Sequence, residues 1–597
     1  MNARTLGLYG LLAVVATAPA WVSSGLIIGG GDQPDWTGTM WAYWWTGEAL
    51  MGGDNPFIGT ANFFPIGITA VAQYNLLDGL LFWPLLRIFG PIVGYNLAAI
   101  ATLVSSAVGG QVLARTAGAS ATAAIFSGAA VEISSFLLLE VTRGRLSQAL
   151  LVFWLLALAG ILRIVEGQGG RWAAAGTGLL AAAASLTYWY YGLFLLLAAL
   201  PLLVSIRRWQ DLARLAAAAG VCLAATGPYV YSLITRYDAL PGVQRGAASW
   251  MDYGSLGRDE FGLSMAISQS RWPWWPLSHA AGEPDDTRLP IVLLVAAVVG
   301  ARSAGRRGAI WLSVAGLGWL LTLGPYLKDA EGVPHRLALP YLFLYDHLPS
   351  FDRLWWPQRL ELLPLVALAV LAGLGLSRST GRTVAVAILA LVADVSLRSG
   401  TLPATAAAPR SVSAAIYAAV DGPVVTTPVL SEDELVRHVL WMQVHHGQPI
   451  LGGLGEHLPS HRPPGYTDHV QNRRLLRALE RMSVGTFRDF IVYPRDIDEL
   501  LEDGFRWVVV DEQIYGVGLQ EEWAAAFSHI LTPVFGPPDV VDGHSAAWRI
   551  TPLEGSVLIP EIPAVEIVGS RRADGTTQHR TQTAEGRSRP AEPPSSE

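Results

Sequence analysis

The stretch Pro91-Ile-Val-Gly-Tyr-Asn-Leu-Ala-Ala-Ile-Ala-Thr-Leu-Val-Ser-Ser-Ala-Val-Gly-Gly-Gln-Val-Leu113 carries no charged side chain over 23 residues. At about 1.5 Å of rise per residue it is long enough to cross a hydrocarbon core of roughly 30 Å as a helix. Similar apolar runs stand on both sides of it. They cover Leu6 to Ile28, Ala121 to Leu139, Leu146 to Leu162, Trp172 to Leu186, Gly192 to Ile206 and Leu212 to Leu233, then Leu289 to Ala301, Ala309 to Leu327, Leu360 to Leu376 and Thr383 to Leu397. Several fall short of the roughly 20 residues an upright span needs. The pattern predicts an α-helical polytopic membrane protein with about eleven transmembrane helices.

Composition supports this. Of 597 residues, 51% are hydrophobic and only 15% charged, against about 25% charged in ordinary soluble domains. The net charge of -7 argues against a nucleic-acid partner. The single cysteine, Cys222, sits in an apolar run and excludes an internal disulfide or a cysteine metal site. Leu6 to Ile28 resembles a signal sequence, with Ala18-Pro-Ala20 as a processing site. Its length exceeds the usual apolar region of about 7 to 15 residues, so it reads as a retained first span.

Arginines orient the spans, because cationic loops stay cytoplasmic. Arg4, Arg115, Arg163 with Arg171, Arg207 with Arg208 and Arg214, Arg302 with Arg306 and Arg307, and Arg378 with Arg382 occur at every second loop. The expected topology is a multi-pass protein of the inner (plasma) membrane with a cytoplasmic N-terminus. A transmembrane domain over 1–399 then presents outer loops at 29–90, 140–145, 235–288 and 328–359. After Gly400 short β-type runs such as Val424 to Pro428 and Arg506 to Asp511 alternate with helical stretches such as Gln471 to Met482. This predicts a small extracytoplasmic α/β domain over 400–568. Residues 569–597 are nearly free of apolar side chains and are expected to be a disordered tail.

The unusual residues concentrate in the outer loops. The first contains Asp32, Asp35 and the aromatic stretch Trp41-Ala-Tyr43-Trp44-Trp45. A carboxylate at the membrane surface can deprotonate an acceptor hydroxyl, or two together can hold a divalent cation such as Mg or Mn. The plainer reading makes Asp32 a helix cap and the tryptophans an interfacial belt. In Glu140-Val-Thr-Arg143-Gly-Arg145, two guanidinium groups stand where the positive-inside bias disfavours them. They suit a phosphate or pyrophosphate headgroup, or else pair with Glu140 or with ordinary lipid phosphates. Arg353 and Arg359, in a late outer loop, are placed to stabilise a departing phosphate. His445-His446 reads as a turn or strand end. Asp394 reads as paired or close to the interface, although an intramembrane carboxylate is a functional candidate by default.

These features together resemble the GT-C superfamily of polytopic glycosyltransferases, and most of all the bacterial membrane proteins related to YfhO. The residues that carry the likeness are Gly53-Asp54-Asn55-Pro56-Phe57, Phe64-Pro65-Ile66-Gly67, the tip Tyr188-Trp-Tyr190-Tyr-Gly192 and Pro349 to Arg359. Leu323-Gly-Pro325, Leu339-Pro-Tyr341, His446-Gly-Gln-Pro-Ile450 and Gly452-Gly453 extend it. The resemblance implies a sugar transferred, with inversion, from a polyprenyl-phosphate-linked donor to a glycan, lipid or protein acceptor. The transferred group is a hexosyl or pentosyl unit. It assigns the base to Asp35 or Asp32, and substrate binding to Arg143, Arg145, Gln148, Tyr188, Tyr190, Arg353 and Arg359. The usual paired acidic motif is absent, which leaves metal use open. A noncatalytic envelope assembly protein of the same fold and a lipid or glycolipid transporter are the competing readings.

Overall fold

The structure is a computed structural model of the chain. It describes residues 2–30, 35–69, 76–238, 258–278, 287–348, 351, 354–409, 412–430, 437–453, 456, 462–483, 489–511 and 520–560. Asp32, Arg353 and the 569–597 tail lie outside the described residues. The chain divides into two compact units. The first comprises Met1–Thr60, Gly67–Arg410 and Pro459–Pro464, and the second Ala61–Ile66, Ser411–Leu458 and Gly465–Glu597.

The first unit is helical. Its helices are α1 (Ala3–Ala16), α2 (Asp35–Gly52), α3 (Leu76–Phe89), α4 (Pro91–Thr116), α5 (Ala123–Glu132), α6 (Ser135–Thr142), α7 (Leu146–Ala149), α8 (Val152–Val165) and α9 (Arg171–Thr187). They continue with α10 (Tyr190–Ala199), α11 (Trp209–Asp238), α12 (Arg258–Ser268), α13 (Ile291–Ser303), α14 (Arg306–Thr322), α15 (Pro340–His347), α16 (Leu362–Gly375) and α17 (Gly381–Arg398). Among the described residues, five runs are long and apolar enough to cross a membrane: Pro91–Thr116, Ala123–Thr142, Leu146–Val165, Trp209–Tyr231 and Pro357–Arg378. Shorter apolar helices accompany them. The difference from eleven lies partly in length, since α13 and α14 have only 13 and 17 residues.

Burial separates the centre of the unit from its periphery. The apolar window of Ala123–Thr142 is 89% buried, whereas that of Trp209–Tyr231 is 17% buried. On α17, Val386, Leu389 and Leu397 are exposed. Such outward apolar faces fit a lipid surround. Inside, small residues let backbones meet. A Cβ added at Gly300 of α13 would lie 1.8 Å from the Leu371 carbonyl oxygen of α16.

Three expectations are corrected. The run Ala121 to Leu139 is interrupted, with α5 ending at Glu132 and Ser134 capping α6 by accepting the Leu137 N–H. Glu140 belongs to α6, so the outer loop expected at 140–145 narrows to Arg143–Arg145. His445 and His446 form the last turn of a helix. Asp394 is paired as expected: its Oδ2 accepts the Val292 N–H at 3.2 Å, and Arg398 lies 3.7 Å from its other oxygen.

Short strand pairs trim this unit. β1 (Ile27–Ile28) pairs antiparallel with β6 (Ala406–Ala407), β2 (Ile58–Gly59) with β3 (Ile68–Thr69), and β4 (Tyr326–Lys328) with β5 (Pro334–Ala338).

The second unit mixes strands and helices. Its sheet runs β10 (Val540–Asp542), β11 (Ser545–Arg549), β9 (Trp507–Val510), β7 (Val424–Thr426), and only the β7–β9 pair is parallel. The fully buried Trp507-Val-Val-Val510 is a β-branched run suited to a central strand. β8 (Phe490–Val492) pairs with β12 (Val557–Ile559). Helices α18 (Ala414–Ala419), α19 (His438–His446), α20 (Tyr466–Asn472), α21 (Arg474–Ser483), α22 (Pro494–Glu502) and α23 (Gln520–Phe535) accompany the strands. Residues Ala61–Ile66 complete it. Phe63 and Phe64 donate their N–H groups to Gly452 and Ile450, and Ile450 donates to Ala61. The Phe-Pro-Ile-Gly and Gly-Gln-Pro-Ile motifs, far apart in sequence, are therefore joined by backbone hydrogen bonds.

Candidate functional site

Asp35 opens α2, where a carboxylate complements the positive helix end. The loop Arg143–Arg145 packs against that end. Gly144 has φ +78°, and a Cβ there would lie 2.4 Å from Cβ of Trp36. Glycine therefore meets both the left-handed backbone and the close approach. Thr39 Oγ1 donates to the Gly144 carbonyl at 2.7 Å. This fit brings Arg145 Nε to 2.6 Å from Asp35 Oδ2, with Nη1 3.7 Å from Glu140 Oε2. The pair is 24% and 26% exposed, so it stays within reach of a ligand.

A second half is built from the tip between α9 and α10 and the 3-10 turn Pro357–Glu361. Arg359 Nη1 donates to the Tyr188 hydroxyl. The guanidinium also lies 4.4 Å from the Trp356 ring centroid and 5.5 Å from that of Tyr188. Such stacking suits a delocalised planar cation. Neighbouring buried groups hold the turn. Gln358 Nε2 donates to Gln269 Oε1 at 2.7 Å, and Thr287 Oγ1 donates to Glu361 Oε2 at 2.7 Å. Arg271 Nη2 reaches Thr287 Oγ1 at 2.5 Å and Glu361 at 3.4 Å.

Tyr188 joins the two halves, because the charges of Arg359, Glu140 and Arg145 all act on its phenol. Its ring meets Tyr190 and Tyr191 edge-on, at 5.3 and 5.0 Å. Tyr191 donates its hydroxyl to the Gln148 backbone carbonyl, while Gln148 Oε1 is buried without a hydrogen-bond partner. Arg143 caps the C-terminus of α6. Of the residues read from sequence, Asp35 pairs with Arg145 and Tyr188 with Arg359, the two pairs linked by the charge of Arg145 acting on Tyr188, and Gln148 and Tyr190 adjoin Tyr191 and Tyr188. Asp32 and Arg353 lie outside the described residues.

Sequence reasoning missed Asp78. It is 3% exposed, accepts the Tyr43 hydroxyl at 3.2 Å and leaves Oδ1 without a hydrogen bond. Both Asp78 and Asp35 act electrostatically on Tyr95. A lone carboxylate in the otherwise apolar Leu76 to Leu86 was the available signal.

A divalent cation prefers several oxygen ligands. Among the described residues no three His, Cys, Asp or Glu side chains come together as a ligand set. Asp35 faces a guanidinium instead.

No protein-family model matches the sequence, and no curated protein matches it. Solved structures do. The arabinofuranosyltransferase AftD from mycobacteria aligns with a TM-score of 0.50 and 15% identity over 86% of this chain. This chain spans 35% of the length of AftD. The archaeal oligosaccharyltransferase AglB from Archaeoglobus fulgidus, in complex with an inhibitory peptide and a dolichol-phosphate, aligns with a TM-score of 0.47 and 11% identity. That alignment covers 94% of this chain and 75% of AglB. ArnT from Cupriavidus metallidurans, bound to undecaprenyl phosphate, gives 0.35 and 17% over 66% of this chain and 64% of ArnT. At these identities the likeness to AftD speaks for the fold alone. The chain shares the fold of AftD, and five of its described helical runs are long and apolar enough to cross a membrane.

Proposed function

We propose that the protein is a membrane glycosyltransferase, moving a hexosyl or pentosyl unit from a polyprenyl-phosphate-linked donor to a glycan, lipid or protein acceptor on the outer face. The observation that carries this reading is the convergence of the Asp35–Arg145 pair and the Arg359–Tyr188 pair in one charge cluster. Its motifs support a kinship with the YfhO-related bacterial membrane proteins. The N-terminus is cytoplasmic and the second unit extracytoplasmic in the plasma membrane.

In the resting state Asp35 neutralises Arg145. A donor phosphate offers the guanidinium a more highly charged partner with matching oxygens, so Arg145 turns from Asp35 to the phosphate. The released carboxylate, Asp35 or Asp32, accepts the proton of the acceptor hydroxyl. The hydroxyl oxygen bonds to the anomeric carbon with inversion. The bond from that carbon to the phosphate oxygen breaks, and its electron pair leaves with the phosphate beside Arg359 and Arg353. Gln148, Arg143, Tyr188 and Tyr190 line the donor's position.

The test is transfer of labelled sugar from a panel of polyprenyl-phosphate donors in reconstituted membranes, comparing wild type with Asp32→Asn, Asp35→Asn and Arg359→Ala. Loss of transfer in one folded aspartate variant supports the reading and locates the base. A wild type that transfers nothing from any donor, with variants that bind lipid like wild type, leaves the noncatalytic assembly role in its place. A lipid or glycolipid transporter is favoured by one observation, a span interrupted at Glu132.

A further inference from the structure

The most enclosed run of the bundle, Ala123–Thr142, is 20 residues long, yet it is two helices. After Glu132 the backbone leaves the helical region at Ile133, with φ -100° and ψ 19°, and Ser134 starts α6 as its N-cap. The break therefore falls at the tenth of twenty residues. That is where a membrane span is farthest from water.

Glu132 ends α5 at this break. It is 0% exposed, and both of its carboxylate oxygens are buried without a hydrogen-bond partner. Helix α5 is packed by α4, α16, α17, α1, α6 and the 3-10 turn Leu376–Arg378. Tyr9 of α1 is a titratable group that feels Glu132. The Tyr9 hydroxyl proton is already directed at the Ile125 carbonyl, 3.2 Å away, and at Gln111 Oε1, 3.3 Å away. A bare carboxylate in such surroundings carries a desolvation penalty that nothing near it offsets, and such a group takes up a proton instead. A metal would need further oxygen ligands, and no ligand set of three forms among the described residues.

We infer that Glu132 is an intramembrane proton-binding site: the ligand is a proton, carried by a neutral carboxylic acid at the break between α5 and α6. Two residues on lies a small polar cavity. Ser134 and Ser135 line a cavity of about 10 Å³ together with Thr287, Arg288 and Glu361, room for roughly one water molecule. This inference stands apart from the transferase reading. Glu132 makes none of the described hydrogen bonds or ion pairs of the Asp35–Arg359 cluster.

The deciding experiment is infrared difference spectroscopy of the full chain in phosphatidylcholine vesicles at pH 7, wild type minus Glu132→Gln. The expected result is a carboxylic-acid C=O stretch present in wild type and lost in the variant. Dicyclohexylcarbodiimide labelling of wild type needs no variant. The acid proton moves to a carbodiimide nitrogen, the carboxylate oxygen adds to the central carbon, and acyl migration leaves a stable N-acylurea with no leaving group. Peptide mass mapping is expected to find that adduct on Glu132. A carboxylate stretch in place of the acid band overturns the proposal. If Glu132→Gln does not fold, absence of the adduct from folded wild type overturns it equally.

Discussion

Asp35 Oδ2 and Arg145 Nε lie 2.6 Å apart, although 110 residues separate them in the chain. The relationship links the candidate base to a candidate phosphate ligand through one hydrogen bond. In the proposed reaction each is held in place by the group it releases to act on substrate.

Substitutions at this pair are expected to separate in steady-state kinetics. Asp35→Asn, if Asp35 is the base, lowers kcat by about 10²- to 10⁴-fold and leaves the donor KM close to wild type. Arg145→Ala raises the donor KM. Equal effects of both variants on the donor KM alone would refute the division of roles.

Arg359 is expected to be sensitive to the shape of the cation as well as its charge. Arg359→Ala should lower transfer by about 10²- to 10³-fold. Arg359→Lys keeps the charge but loses the planar contact with Trp356, and should recover only part of the activity. Tyr188→Phe, which removes one hydrogen bond from a charged group worth about 1.5 kcal/mol, should cost roughly tenfold. Initial rates with a single donor measure all three.

The second unit should weaken in mild acid. Burial, with His445 as a smaller influence, pulls the His446 imidazole down to about 3. Its Nδ1 accepts the Gln448 N–H at 3.0 Å, which requires the neutral ring. The unfolded chain takes up the proton near pH 6.5, so stability present above that value falls progressively toward pH 3. At roughly 1.4 kcal/mol per pH unit, the loss between pH 6.5 and 5 is about 2 kcal/mol. Thermal unfolding followed by tryptophan fluorescence should show a smaller drop in His446→Gln than in wild type.

Helix packing offers a matched pair. Gly300→Leu drives a side chain into the Leu371 backbone and should destabilise the bundle by at least about 1–3 kcal/mol. Gly316 has nothing within 4 Å of an added Cβ, and Gly316→Leu should melt like wild type. Detergent-solubilised thermal melts compare the two.

Much of this was legible in the sequence, for identifiable reasons. Uncharged runs such as Pro91 to Leu113 announce helices because a bilayer-length apolar segment has few other stable forms. β7 and β9 stood out as compact β-branched runs. Asp35, Arg145, Tyr188 and Arg359 drew attention as polar groups at apolar mouths. Their mutual contacts did not, because an ion pair across 110 residues depends on which helix ends meet. The break at Glu132 was hidden by uniform hydropathy, which records apolar content but not the Ser134 cap that redirects the backbone. Asp78 was hidden because residues 29–90 read as one loop, which concealed the helix Leu76–Phe89 that carries it.

The insertion of Ala61–Ile66 beside residues 450–452 makes the second unit a composite of distant stretches of chain. A fragment beginning at Ser411 would lack that segment and leave the backbone groups of Ile450 and Gly452 open for misassociation. Exchange of this unit between related proteins by a single recombination point would fail for the same cause. Evolution of the lineage is thereby constrained to change the early loop and the late unit in concert, so covariation between residues 61–66 and 450–453 is the mark to seek among its relatives.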